Sequence, residues 1–151
     1  ESCDALSFNC YALSPDHEKM NHALEISGLP MIIGEYHFGT VDRGLAQSLW
    51  QVNSQKERGD AFQYYTENAF AHRGLIGTGW FRWIDQNING RTDGENYNCG
   101  FIDVTDRPYP YMVDAAIEAA KSLYEIHSGT KTPFHQAPNA VGHSPIPDLW
   151  E

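Results

Sequence analysis

Cysteine is scarce in this chain of 151 residues: Cys3, Cys10 and Cys99 form an odd set with no CxxC spacing. That excludes a complete disulfide framework and a zinc ribbon, and leaves the three thiols as small, partly buried apolar groups. Positive charge is scarce as well. Ten Lys and Arg stand against twenty Asp and Glu, a formal net charge of −10. Such a surface does not track phosphates, so no nucleic-acid partner is expected, and a neutral or cationic partner fits better. No apolar run approaches the roughly 20 residues of a membrane helix, and no basic segment followed by an apolar one opens the chain, so no membrane partner is expected either. Metal signatures are missing too. His17 and His22 lie five apart, there is no HExxH pattern, and Asp93 to Asn98 lacks the register of an EF-hand loop, so no metal or cofactor is expected.

What is present is a repeating alternation. Ala5 to Tyr11 reads as a short strand, and Ser14 as the cap of a helix with Pro15 at its first position. Met20, Ala23 and Leu24 recur at helical spacing, and Gly28 with Pro30 stops the helix. Met31-Ile32-Ile33-Gly34 is a continuous apolar run, as in a parallel strand buried on both faces, and it delivers Glu35-Tyr36-His37-Phe38 at its end. Ser54 and Glu57 form a capping box ahead of a helix whose inward stripe is Arg58, Ala61, Phe62, Tyr65 and Ala69. After Gly74, Leu75 to Trp83 reads as a third strand, with Gly77 and Gly79 where backbone or side chains come close. A polar loop from Ile84 to Arg107 leads to a last helix starting near Pro110. Its apolar face is Met112, Val113, Ala116, Ile117, Ala120, Leu123 and Tyr124, and Ser128-Gly129 closes it.

The order βαβαβα demands an α/β fold with a parallel sheet and right-handed crossovers. Three strands cannot close a barrel, but they match in size the last three βα units of a (β/α)8 TIM barrel, which usually needs about 250 residues. A free-standing three-stranded α/β domain is the competing layout; it would leave sheet edges unpaired. The start at Glu1 rather than Met fits a piece of a longer protein or a processed product. Residues 1–129 are therefore expected to be barrel. Residues 130–151, which carry Pro133, Pro138, Pro145 and Pro147, are expected to run as a Pro-rich tail or linker that Phe134, Leu149 or Trp150 could pin to a surface.

In such folds the chemistry sits where strands end, so polar residues that terminate apolar runs are the candidates. Glu35 is the sharpest, because an isolated carboxylate after a buried run is costly and needs a reason. A structural ion pair with Arg43 or Arg82 is the alternative. Tyr11, ending the neighbouring strand, could donate its hydroxyl to Glu35. His37 points to the same side as Glu35 and is a candidate substrate contact. Trp80 and Trp83 could stack on sugar rings or fill a core. Asp85, Gln86, Glu95 and Asn96 crowd one loop with the planar donors and acceptors that suit hydroxyl recognition.

Three motifs then carry a resemblance. Ile33-Gly34-Glu35-Tyr36-His37-Phe38-Gly39 with Val41-Asp42-Arg43-Gly44 resembles the nucleophile segment of the family 50 β-agarases. Gly79 to Gln86 and Asp93 to Asp106 resemble that family's eighth strand and the loop after it. The likeness runs from about Asp4 to Gly129, with Tyr36 and Arg82-Trp83 as local departures. It implies a retaining glycoside hydrolase of the barrel type acting on agarose or agaro-oligosaccharides. Glu35 would be the nucleophile, and secretion or a periplasmic location is implied. It also implies an acid/base Glu after an Asn at the end of an earlier strand, and no Asn-Glu pair stands at a strand end here. The expected partners are thus a galactose-based polysaccharide or oligosaccharide and the N-terminal remainder of the barrel, without which this chain would be inactive. A β-galactosidase of the same clan and a non-catalytic carbohydrate-binding fragment are the alternatives.

Overall fold

A computed structural model describes residues 3–143; Pro145, Pro147, Leu149 and Trp150 lie outside the described residues. Strands β1 (Leu6–Asn9), β2 (Met31–Tyr36) and β4 (Leu75–Trp80) form a parallel sheet in that order. Helix α1 (His17–Ser27) links the first two, α2 (Gln55–Phe70) precedes β4, and α3 (Pro110–His127) follows it. Because the strands follow chain order without reversal, right-handed crossovers put the helices on one face. The core forms there, from Met20 of α1, Met31, Ile33 and Tyr36 of β2, Tyr65 of α2 and Met112 of α3 among others.

Local chemistry fixes the helix limits. The cap of α1 is Asp16, not Ser14: its carboxylate accepts from the Glu18 and Lys19 amides at 2.9 and 3.2 Å. An ionised oxygen at the positive helix end outcompetes a hydroxyl two residues earlier, and Pro15 falls outside the helix. Gly28 closes α1 at φ +65°, a conformation costly for a side chain with a Cβ. Ser54 caps α2, while Glu57 reaches back one residue beyond the cap, to the Asn53 amide at 2.9 Å. The stripe Arg58, Ala61, Phe62, Tyr65 and Ala69 is buried.

Helix α3 starts at Pro110 but turns a different face inward. Met112, Ala115, Ala119, Ser122 and Ile126 are buried, whereas Ile117 and Tyr124 of the expected face are exposed. Small residues let α3 come close to α2: a Cβ on Gly59 would stand 2.5 Å from the Tyr111 carbonyl oxygen. The apolar residues of α3 therefore cover two faces, and the sequence does not say which one meets α2. Strand β4 ends at Trp80, three residues before the expected Trp83. At Gly79 a Cβ would lie 2.4 Å from the Gly34 carbonyl oxygen, so the close approach is real there, while Gly77 has ordinary room.

Two short strands carry no sequence signal at all. β3 (Trp50–Gln51) pairs antiparallel with β5 (Val141–Gly142). The segment after Thr130, expected as a tail or linker, lies against α2: the Phe134 amide donates to Glu67 Oε2 at 2.7 Å, and Asn68 Nδ2 donates to the Phe134 carbonyl at 3.0 Å.

Candidate active site

Parallel strands that lie side by side bring their carboxyl ends together, where open α/β sheets bind ligands. Here that places Tyr11, just past β1, beside Glu35 of β2. The register slips at this point: Phe8 pairs with Ile33 but Asn9 with Glu35, and on the other side Ile33 pairs with Thr78 but Tyr36 with Trp80. Such bulges re-aim side chains at sheet ends. The Tyr11 hydroxyl donates to Glu35 Oε2 at 2.8 Å. Burial, and then the Glu35 carboxylate, push the Tyr11 phenol well above its ordinary range, with Glu95 adding a smaller effect. Tyr11 is thus a fixed neutral donor. The alternative ion pair does not form: Arg43 lies 3.9 Å from Asp42, and Glu35 is in no ion pair among the described residues.

His37 stands behind this pair rather than in front of it. Its side chain is 1% exposed. One ring nitrogen meets the Phe81 carbonyl at 3.1 Å and the other accepts from the Leu49 amide at 3.1 Å. That pattern needs a neutral ring with the proton on Nδ1, and burial lowers its pKa to about 4. Of the expected substrate contact, the structure shows a ring with both nitrogens engaged and T-shaped contacts to Tyr11 and Tyr97, with centroids 5.0 and 5.8 Å apart.

Asp85 and Gln86, the next two expected contacts, are likewise buried. The Asp85 carboxylate is buried and accepts from Asn98 Nδ2, from the Gly100 amide at 2.7 Å and from the Tyr109 hydroxyl at 2.6 Å. Gln86, fully buried, donates to Glu95 at 2.7 Å and accepts from the Tyr97 amide at 2.6 Å. Both side chains spend their hydrogen bonds within the loop and on Tyr109. Arg58, read from the sequence only as part of a helix stripe, completes this node. Its guanidinium is 0% exposed, donates to the carbonyls of Asn98 and Gly100, and lies 4.4 Å from the centre of the Tyr109 ring. A charged residue in an inward helix stripe was the available signal, since a buried Arg demands a partner. Cys99 sits inside the same loop, and burial pushes its thiol up to about 12, so it is no nucleophile.

The two tryptophans separate. Trp80 is partly buried against Tyr36, Phe38, Phe62 and Phe101, and its indole N–H donates to the Cys99 carbonyl at 2.6 Å. Trp83 is 69% exposed and stacks one face on Phe101 at 6.0 Å. Glu95 and Asn96 remain partly exposed on the loop, with Glu95 3.3 Å from Arg91. Among the described residues no three His, Cys, Asp or Glu gather closely enough to hold a metal.

With this geometry set, the comparisons decide the family. β-Agarase A of Vibrio sp. (strain JT0107) is 39% identical over 128 residues, 80% of this chain and 13% of that protein. The chain belongs to glycoside hydrolase family 50. β-Agarase B of the same strain is 37% identical over the same shares of both chains. Among solved structures, an exo-β-agarase superposes with a TM-score of 0.79 at 38% identity, over 84% of this chain and 17% of that one. PfGH50B gives 0.77 at 41% identity, over 81% and 17%. No family-wide sequence model matches the chain. This family 50 chain thus spans about an eighth of the length of its curated relatives.

Proposed function

We propose that this chain supplies the nucleophile side of a retaining β-glycosidase that cleaves agarose or its oligosaccharides. The observation that carries the reading is the Tyr11 to Glu35 hydrogen bond at the carboxyl ends of two adjacent parallel strands. Tyr11 leaves the second Glu35 oxygen free to attack. That oxygen bonds to the anomeric carbon as the glycosidic C–O bond breaks, and a second carboxylic acid gives its proton to the leaving oxygen. Water then hydrolyses the glycosyl ester, with the second group acting as base.

Retention requires that second carboxyl about 5–5.5 Å from the first. Asp85 has both carboxylate oxygens engaged in its node, and Glu95 lies 3.3 Å from Arg91, so neither is placed to protonate a leaving group. The acid therefore comes from upstream strands of the same barrel. Both flanks of the sheet have surface for them: Leu6, Ala23 and Ile26 line a groove beside β1, and Ile76, Leu123 and Tyr124 line one beside β4. Trp83, Glu95 and Asn96 are the sugar contacts in this reading. Arg91 is neutralised by Asp93 at 2.7 Å as well as by Glu95, which favours an uncharged galactan over a sulfated one.

The test is Glu35→Gln in the full-length enzyme that carries this segment. The amide is isosteric but forms no glycosyl ester, so kcat on agarose should fall about a thousandfold or more with melting temperature unchanged. Retention of about a tenth of wild-type kcat would remove Glu35 from the role.

A further inference from the structure

The nucleophile pair is held from behind by a part of the chain that looks, in sequence, like a linker. After α3 the chain returns along α2, from Phe134 at the last turn of that helix to Val141–Gly142 beside the strand that precedes its first turn. There it adds β5 to β3, and the His143 amide donates to the Leu49 carbonyl at 2.7 Å. Two residues on the β3 side of this short ladder connect onward. The Leu49 amide donates to His37, and the Trp50 indole N–H donates to the Tyr11 carbonyl at 2.8 Å. Tyr11 in turn holds Glu35. Gly142 lies against the Trp50 ring, so close that a Cβ there would be 3.1 Å from Cζ2 and 3.2 Å from Cε2.

We infer that this returning strap is a positioning element of the active site: Val141 to His143 clamp Leu49 and Trp50, and Trp50 sets the backbone of Tyr11 so that its hydroxyl meets Glu35. Trp50 is then a positioning residue, acting on the reaction only through Tyr11. Small displacements suffice for an effect, because reacting groups misplaced by about 1 Å can lose about a hundredfold in rate. This inference rests on Glu35 being the nucleophile, as proposed above.

The experiment uses the full-length enzyme on agarose, with Trp50→Phe, which keeps a ring but removes the indole donor. Gly142→Val presses on that ring, and His143→Pro removes the amide that binds Leu49. Expected are losses in kcat of about tenfold for the first and a few-fold for the other two, with KM changed less than about twofold. Each is repeated in a Tyr11→Phe background, where a strap acting through the phenol has little left to lose. Effects that persist in full in that background, or a kcat that does not change in any of the three, would overturn the inference. Should Trp50→Phe fail to fold, the two exposed strap positions still decide it. An active Glu35→Gln enzyme would instead refute the nucleophile assignment, whereas an inert one with unaffected strap variants would refute the strap alone.

Discussion

Two clusters of polar groups flank the carboxyl end of β2, and they differ in how much hydrogen-bonding capacity is used up. Around Asp85, carboxylate, amide, phenol and backbone groups close on one another, with the Arg58 guanidinium buried among them. Around Glu35, one phenol donates to one oxygen of a half-buried carboxylate, and no cation among the described residues pairs with it. A nearly saturated cluster, in which Arg58 Nε is the buried atom left without a partner among the described residues, holds a loop in place, since buried polar groups left unpaired are expensive. An unsaturated one keeps a lone pair for a reactant. One acidic residue near a strand end and one in the loop after the next strand thus differ in how far their neighbours occupy them.

The sharpest way to break this comparison is Asp85→Asn in the full-length enzyme. It removes the negative charge that faces Arg58 and two of the acceptor positions used by Asn98, Gly100 and Tyr109. Leaving a buried donor without its acceptor costs about 1–3 kcal/mol, so denaturant unfolding should show a loss of at least that order. The enzyme molecules that remain folded should keep most of their kcat. This is the reverse of Glu35→Gln, which is expected to lose turnover and keep stability. An Asp85→Asn enzyme with normal stability and a raised KM would return Asp85 to the substrate site.

His37 stands between the two clusters and offers a pH test. Its folded pKa, about 4, lies below the ordinary value of 6.5 because burial disfavours the imidazolium. Between those values the unfolded chain binds a proton that the folded chain does not, so stability falls as pH drops from 6.5 toward 4. The slope is up to about 1.4 kcal/mol per pH unit, and this contribution is flat above 6.5. In the full-length enzyme, His37→Gln should flatten that part of the stability profile while lowering stability at neutral pH, since one amide side chain cannot reproduce both ring contacts. An unchanged acid limb in the variant would mean that other groups, not His37, set it.

Much of this arrangement is legible in the sequence, and the parts that are not have identifiable reasons. Glu35 stands out because a carboxylate after Met-Ile-Ile-Gly has no local stabilising role, and Tyr11 because the βαβ order puts its strand next door. The inward stripe of α2 follows from strong periodicity. By contrast, Asp85 and Gln86 sit in a loop rich in planar polar groups, and such a loop reads alike whether its partners are sugar hydroxyls or its own backbone. Only the fold shows that Asn98, Gly100, Tyr97 and Glu95 take those partners. The two-residue strands β3 and β5 have no period to detect, and their pairing joins segments far apart in the chain. On α3 the apolar residues are real but serve two faces, so periodicity alone chooses between them badly.

The smallest effect expected concerns the aromatic residues, and it tests whether the same rule, committed against uncommitted, holds for rings as it does for carboxylates. Trp80 has its N–H paired with Cys99 and is partly buried against four aromatic rings; Trp83 has one face on Phe101 and is otherwise largely in solvent. Losing an aromatic stacking partner costs about 0.5–1.5 kcal/mol. For Trp83→Ala in the full-length enzyme this corresponds to a rise in KM of roughly two- to tenfold on agarose. Stability should hardly change, because a side chain 69% exposed contributes little burial. Trp80→Phe should do the opposite: it removes the shorter of the two hydrogen bonds to the Cys99 carbonyl, leaving that from the Arg82 amide, and opens space among packed rings, lowering the melting temperature with KM nearly constant. Measuring KM and melting temperature for both variants on the same substrate separates the two roles. A raised KM for Trp80→Phe at constant melting temperature, with Trp83→Ala silent, would exchange their assignments and show that a sugar reaches the partly buried ring.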